Sequence, residues 1–404
     1  MAKMILPISF VAVIALFLGT AILIKAPRTD LQSSMSASRR SQVALSVDGA
    51  KLAQNKPVNV TPILNQPAPT INTLALQRAS DPGLQKLAEY ETACASSFGG
   101  MMIFAQLPTS ATLAPGDASD MAAALKEYSK LGVKPLVIAE PTGDNGTVDF
   151  SNFASGTYNQ ALQTYFAALK QQGINDAQMG TWVPFPEPNT DSWGKNNAGP
   201  ANFVAAFNAY AMIFKKYFPA AQLSIMLDNQ TYDYQTGDYA YVSLAPYISG
   251  INKSYISSFS LQGFPWSPEL GADDVAVTDA AVFLSADSAV KTAKSLGVNS
   301  IWFNTGTYRA MYANDPAHTV TATAAQRAAI LDSVFGQASA AKAAGFNIAI
   351  NIFAENKSTD EEAIDWSYWS SLADINNPNA TALANFASKA HKAGIFLSVF
   401  DSKQ

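Results

Sequence analysis

From residue 67 onward the chain alternates short apolar runs with longer Ala- and Leu-rich segments, and this alternation restricts the possible fold more than any other feature. Runs of strand length, rich in β-branched and aromatic residues, fall at residues 71–76, 100–106, 135–140, 179–185, 222–227, 256–261, 300–303 and 347–353. Between them, apolar residues recur with helical spacing at 120–131, 158–171, 202–217, 287–296 and 324–344. Gly132, Gly173, Gly297 and Gly345 follow four of these segments, where a left-handed helix stop belongs. Strands and helices alternating in this way form parallel βαβ units, and eight such units close into a (β/α)8 TIM barrel. A further run at 395–400 follows a helical segment at 380–393. It is either an addition or a sign that the barrel starts one strand later. The first count is adopted, because residues 70–77 read as a strand ahead of a helical stretch.

The fourth run is the most constrained. In Gly180-Thr-Trp-Val-Pro-Phe-Pro-Glu-Pro-Asn-Thr-Asp-Ser-Trp193 a strand meets Pro184, Pro186 and Pro188, each lacking a backbone donor, so the ladder stops and the chain leaves as a stiff loop. Glu187 is thereby held at a strand exit. Trp182 and Trp193 are expected to desolvate its carboxyl group, raising its pKa and suiting it to proton transfer near neutral pH.

Barrel enzymes carry their sites at the C-terminal ends of the strands. In this chain those ends supply Gln106, Glu140, Glu187 with Asn189, Asp228, then Gln262 with Phe264 and Trp266, then Asn304 with Tyr308, and finally Glu355 with Trp366 and Trp369. Aromatic faces stack on sugar rings while amides and carboxylates bond hydroxyls, so one rim carries the chemistry of a glycan cleft. The bland alternative is that polar groups line any barrel rim and the rings pack beneath loops.

Composition narrows the partners. Only 14% of the 404 residues are charged, the net charge is −5, and no basic block exists to neutralise phosphates, which argues against nucleic acid. Cys94 is the only cysteine, which excludes an intrachain disulfide and a cysteine metal cluster; a small buried thiol is expected. With His318 and His391 as the only histidines, and with no Gly-rich phosphate loop, no metal or organic cofactor is expected. Ahead of the barrel, residues 6–24 form an apolar run long enough to span a bilayer, flanked by Lys3, Lys25 and Arg28. It reads as an uncleaved signal anchor (residues 1–25) that holds the barrel domain (67–404) on the outside through a linker at 26–66 rich in Ser, Gln, Asn and Pro.

The residues Glu140-Pro141, Ser155-Gly156-Thr-Tyr158, the run from Trp182 to Trp193, and Phe203-Val-Ala-Ala-Phe-Asn-Ala-Tyr-Ala-Met-Ile-Phe214 together resemble glycoside hydrolase family 26. This is a clan A (β/α)8 family of β-mannanases and related endo-β-glucanases. Its fourth-strand signature, His-Glu-Met-Asn-Gly, carries the acid/base. The resemblance implies that Glu187 is the acid/base, that Asn189 matches the signature Asn, and that the glycan is β-linked and mannan-like; from their places at the strand ends, Glu140, Trp182, Asn189, Trp193, Gln262, Phe264, Trp266 and Tyr308 are the expected substrate contacts. Two departures matter. Pro186 replaces the signature His, and Asn304 stands where the family carries its nucleophile Glu at the end of strand seven. An amide forms no glycosyl ester, so the retaining mechanism lacks its nucleophile. Moving the count by one strand would make Glu355 the seventh-strand carboxylate but would put Glu187 on the third.

Three functions follow. In the first, Glu187 donates a proton and Asp228 or Glu355, about 6.5–9.5 Å away, activates water in an inverting hydrolysis. In the second, the same cleft binds glycan without cleaving it. In the third, a cell-surface protein has kept only the barrel.

Overall fold

In the computed structural model the described residues are 76–77, 79, 82–96, 98–108, 117–140, 150–189, 199–233, 238–241, 243–263, 278–306, 309–312, 320–321, 323–353, 362–363 and 378–400. All of them belong to the compact unit Lys56–Gln404. The apolar run at 6–24, the linker, Trp193, Phe264, Trp266, Tyr308, Glu355, Trp366 and Trp369 lie outside the described residues. Among those described, no helix is long and apolar enough to cross a membrane.

Eight parallel strands close into a barrel: β1 (Gly100–Gln106), β2 (Lys134–Glu140), β3 (Thr181–Pro184), β4 (Gln222–Asp228), β5 (Ser258–Gln262), β6 (Ser300–Gly306), β7 (Asn347–Phe353) and β8 (Phe396–Phe400). This corrects the expected strand count. Leu76 lies in a helical turn, and the helix α1 (Pro82–Cys94) precedes β1. The last strand closes the ring, with Phe396–Phe400 pairing to β7 and Ser398–Val399 pairing to β1. The run Phe-Leu-Ser-Val-Phe has the alternation of a barrel strand, and without it β1 and β7 would each present an unpaired edge. Numbered along the chain, Glu187 follows the third strand and Asn304 lies on the sixth. The expected places, on the fourth and the seventh strand, are thus corrected by one, and the seventh strand is Asn347–Phe353, the one ahead of Glu355 in sequence.

Helix α2 (Asp117–Leu131) follows β1, α3 (Phe150–Ser155) and α4 (Asn159–Gln171) follow β2, α5 (Pro200–Tyr217) follows β3, and α6 (Ala286–Leu296), α7 (Ala324–Ala343) and α8 (Pro378–Lys392) follow β5, β6 and β7. The positions expected for helix stops behave accordingly, with φ of 80° at Gly132, 83° at Gly173, 75° at Gly297 and 94° at Gly345. Helix α7 starts on a reciprocal cap between Thr323 and Gln326. Cys94 is buried at the end of α1, and burial together with the nearby Glu91 pushes its thiol up to about 12, so it is an inert packing group.

Alternate strand residues divide two apolar layers. Ile103, Val137, Trp182, Ile225, Phe259, Ile301, Ile350 and Leu397 face outward and pack with the helices. Met102, Leu136, Ile138, Val183, Met226, Trp302, Ala349 and Phe396 fill the barrel interior. The connections also differ between the two ends. Those leading from helix to strand are mostly short, whereas beyond the C-terminal strand ends the chain adds a hairpin, Gln230–Asp233 with Asp238–Tyr241, and a small sheet in which Arg309–Tyr312 pairs with Val320–Thr321 and Glu362–Ala363. The C-terminal face is therefore the elaborated one, where a barrel builds its site.

Because β8 contributes Phe396, Leu397 and Val399 to buried layers, at about 1.5–3 kcal/mol per buried side chain, deleting residues 395–404 should abolish cooperative unfolding. Calorimetry and dye binding to exposed apolar surface check this. A truncated protein that melts cooperatively at the full-length temperature would show that closure does not depend on β8.

Candidate active site at the C-terminal mouth of the barrel

The exit from β3 positions the site. Phe185 donates its N–H to Ala139 O (3.1 Å), the last bond to β2, and its ring is fully buried in edge-on contact with Phe150, Phe153 and Tyr210, at centroid distances of 5.4, 4.8 and 5.7 Å. The backbone is left-handed at Phe185 (φ 55°) and again at Glu187 (φ 53°), although neither is glycine. Such conformations cost about 1–2 kcal/mol per residue and persist only where the surroundings impose them. Here the aromatic cluster holds Phe185 on the outer side while the prolines forbid continuation of the ladder, and the chain turns back over the mouth with Glu187 half-buried at its rim.

Asp228, at the last position of β4, is the partner that Glu187 meets. It is inward-facing and only 7% exposed. Gln262, directly across from it on β5, donates its Nε2–H to Glu187 Oε1 and also hydrogen-bonds the Asp228 carboxylate. One amide thus lies between the two carboxyl groups, with Glu187 on one side and Asp228 on the other. Burial raises the Asp228 pKa well above the usual carboxylate range, the charge of Glu187 raises it further, and the bond from Gln262 opposes both. Burial and the neighbouring Glu187 thus favour the neutral form of Asp228.

Asn189 has a structural task in place of the expected substrate contact. It is buried, its Nδ2–H donates to Asp228 O (2.8 Å), and its Oδ1 accepts from Asp228 N (3.0 Å), so both hydrogen-bonding ends of its amide are spent clipping the loop after β3 to the end of β4. Trp182 is also a correction. Val183 takes the inward place on β3, so Trp182 faces the helices, fully buried against Phe166 (6.0 Å) and Phe214 (5.8 Å), with its indole N–H donating to Met179 O (2.9 Å). It can neither stack on a sugar nor desolvate Glu187. Glu140 ends β2 on the inward face, half-buried at the rim.

Asn304 lies on the inner face of β6, buried, with its Nδ2–H donating to Ser260 Oγ (2.6 Å), while its Oδ1 finds no hydrogen-bond partner among the described residues. It belongs to a polar row that the strand register assembles: Asp228 faces Gln262, Gln262 faces Asn304, Asn304 faces Asn351, and Asn351 faces Ser398. This row caps the apolar interior below it. Asn351 and Ser398 were not singled out in the sequence. Their signal is a single polar residue, Asn351 or Ser398, in the second half or the middle of an otherwise apolar run, which becomes readable only once the inward parity is known. Gly263 completes the local constraint, because a Cβ there would lie 1.7 Å from Phe283 O and would displace the strand end that carries Gln262.

No family model matches the chain, and neither does any curated protein. Solved structures with a similar barrel include a fungal β-1,4-galactanase (14% identity, 74% of this chain and 90% of that chain, TM-score 0.46). They also include the family 1 β-glucosidase from Thermotoga maritima (10%, 76% and 86%, TM-score 0.47) and a GH113 β-1,4-mannanase (9%, 75% and 92%, TM-score 0.43). The likeness is one of barrel architecture and assigns no residue.

Because the folded-state pKa of Asp228 lies above its unfolded value, the native state binds the extra proton, and this group's contribution to stability falls as pH rises above about 4. Asp228→Asn removes that titration. The variant should be more stable than the parent at pH 7, by about 0.5–2 kcal/mol, the usual gain from relieving a strained functional position, and the advantage should vanish near pH 3. Denaturant unfolding at the two pH values decides the matter; an equal advantage at both would mean that burial does not raise the Asp228 pKa.

Proposed function

We propose that the domain is a glycoside hydrolase-like barrel that takes a neutral β-linked polysaccharide of the mannan type into its C-terminal mouth, with Glu187 as the general acid/base. The observation that carries this reading is the Glu187–Asp228 pair bridged by Gln262 at a backbone turn that is left-handed at two non-glycine residues. Buried like-charge pairs and strained backbone cost stability, and they concentrate where chemistry needs them.

The charge of Glu187 opposes ionisation of Asp228, so the pair holds one proton to higher pH than a lone carboxyl group would, and its two members share it. Asp228 is the buried member and Glu187 is the one a glycosidic oxygen can reach. In the forward step the shared proton stands on Glu187, the leaving oxygen takes it as its bond to the anomeric carbon breaks, and the Gln262 N–H stabilises the carboxylate that remains. Water then adds to the anomeric carbon and returns its proton to Glu187. Asn304, on the sixth strand and three strands round the ring from Glu187, offers an amide dipole instead of a carboxylate and forms no ester. A second reading, glycan binding without cleavage, draws on that same amide. In both readings the apolar run at 6–24 tethers the domain to the outer face of a membrane, and protection of that run from protease in intact cells, with the barrel accessible, is the corresponding observation.

Reducing-end release from β-mannan, measured beside calorimetric binding of a mannan oligosaccharide, tests the proposal. Glu187→Gln should lower turnover on the order of 10²- to 10⁴-fold with binding retained. Binding without any turnover by the unchanged protein selects the second reading. In that case Asn304→Asp or Asn304→Glu should create slow hydrolysis, where the parent has none. A sugar ester trapped on the unchanged protein would overturn the role given to Asn304.

A further inference from the structure

The seam between β3 and β4 closes with few backbone bonds. The two strands pair at Thr181–Gln222 and Trp182–Leu223, after which β4 runs on to Asp228 while β3 ends at Pro184 and turns away. On its other side β4 stays paired with β5 to the end, where Asp228 stands opposite Gln262. The Asp228 backbone on the β3 side therefore has no strand to meet, and a buried peptide group left unpaired is unfavourable. Asn189 supplies the partner. Its amide carries a donor and an acceptor side by side, and it bonds both the C=O and the N–H of Asp228 (2.8 and 3.0 Å). The consequence falls on Glu187. The segment from Phe185 to Asn189 is tied at both ends, to β2 by the Phe185 N–H on Ala139 O (3.1 Å) and to β4 by the Asn189 amide. Glu187 lies midway, in left-handed backbone (φ 53°) that a glutamate keeps only while the chain on either side is held. The tie to Asp228 draws Glu187 over β4, where the Gln262 amide donates to Glu187 Oε1 and hydrogen-bonds the Asp228 carboxylate.

We propose that Asn189 is a positioning residue, whose amide stands in for the missing strand at the β3–β4 seam and thereby holds Glu187 beside Gln262 and Asp228. The chemical use of that carboxyl pair rests on the function proposed above; the positioning does not. Both ends of the Asn189 amide are bonded to backbone, so it acts on the carboxyl group through the chain and leaves contact with a ligand to other residues. A clip that only adds stability contributes the same whatever stands at position 187. A clip that positions Glu187 also decides whether a charge there is felt at Asp228, and the two effects are then not additive.

Urea unfolding of the full-length protein in detergent, with Asn189→Ala and Glu187→Gln made singly and together, provides the test. Glu187→Gln keeps an acceptor for Gln262 and removes the charge that opposes ionisation of Asp228. Alone it should raise the unfolding midpoint at pH 7, and the gain should vanish near pH 3, where both carboxyl groups are mostly protonated in the folded and the unfolded chain. Asn189→Ala should lower the midpoint at both pH values, and in its background Glu187→Gln should no longer raise the midpoint at pH 7. If the alanine variant does not fold, Asn189→Ser, too short to make both bonds, takes its place in the same comparison. A gain of parent size in either Asn189 variant overturns the positioning role, because Glu187 then stays beside Asp228 without the clip. No gain in the parent background overturns the coupled carboxyl pair, and the proposal with it. Where β-mannan is turned over, Asn189→Ala should lower kcat on the order of 10²-fold and leave KM unchanged, as for a misplaced acid/base. A raised KM with kcat unchanged would make Asn189 a substrate contact and overturn the proposal. Absence of turnover overturns the hydrolase reading alone, and unfolding still decides the role of Asn189.

Discussion

The burial of the Phe185 ring is the interaction on which the site depends. Its edge-on contacts with Phe150, Phe153 and Tyr210 join the exit of β3 to α3 and α5, and they hold two non-glycine residues in left-handed backbone. Each aromatic pair adds about 0.5–1.5 kcal/mol beyond its buried area, so three of them offset the conformational cost of the turn. The three prolines remove the alternative of a longer strand. Side-chain packing on the outside of the barrel thus determines where a carboxyl group sits on the inside, and the coupling is rigid because neither part of the turn can relax without exposing a large ring.

The barrel interior shows the opposite balance. Its lower layers are filled by Met102, Leu136, Val183, Met226, Trp302 and Phe396. The row above them is Asp228, Gln262, Asn304, Asn351 and Ser398, polar on five consecutive strands. Polar groups removed from water lose free energy unless they are hydrogen-bonded, and in this row Asp228 Oδ2, Asn304 Oδ1, Asn351 Oδ1 and Ser398 Oγ lack partners among the described residues. A fold selected only for stability would extend the apolar filling upward by one row. The polar row is therefore a departure from close apolar filling at the C-terminal end of the barrel, and the raised pKa of Asp228 follows from the same burial.

Much of this was legible in the chain. Apolar period and glycine stops mark the helices and strands, because both depend on neighbours only a few residues away, and the bounds of β1 and β7 follow directly from them. The prolines around Glu187 likewise announce a broken strand. The strand count was not legible, because a short apolar run at either end of the chain has the same local pattern, and only lateral pairing reveals that Phe396–Phe400 closes the ring while Leu76 does not join it.

Which way each side chain faces was decided by tertiary structure alone. Trp182 and Val183 are adjacent and both apolar, and the sequence offers no reason to send the indole outward to Phe166 and Phe214. Asn189 reads as a polar residue beside a Glu, but the proximity of Asp228, 39 residues away, turns it into a clip. The carboxyl pair itself depends on β3, β4 and β5 lying side by side, and on Gln262 standing opposite Asp228 in register. The sequence by itself determined the elements and the residues available at their ends, because local backbone preference and side-chain period are short-range properties. Tertiary structure decided which of those residues meet, because strand register and inward parity are long-range properties fixed only when the barrel closes.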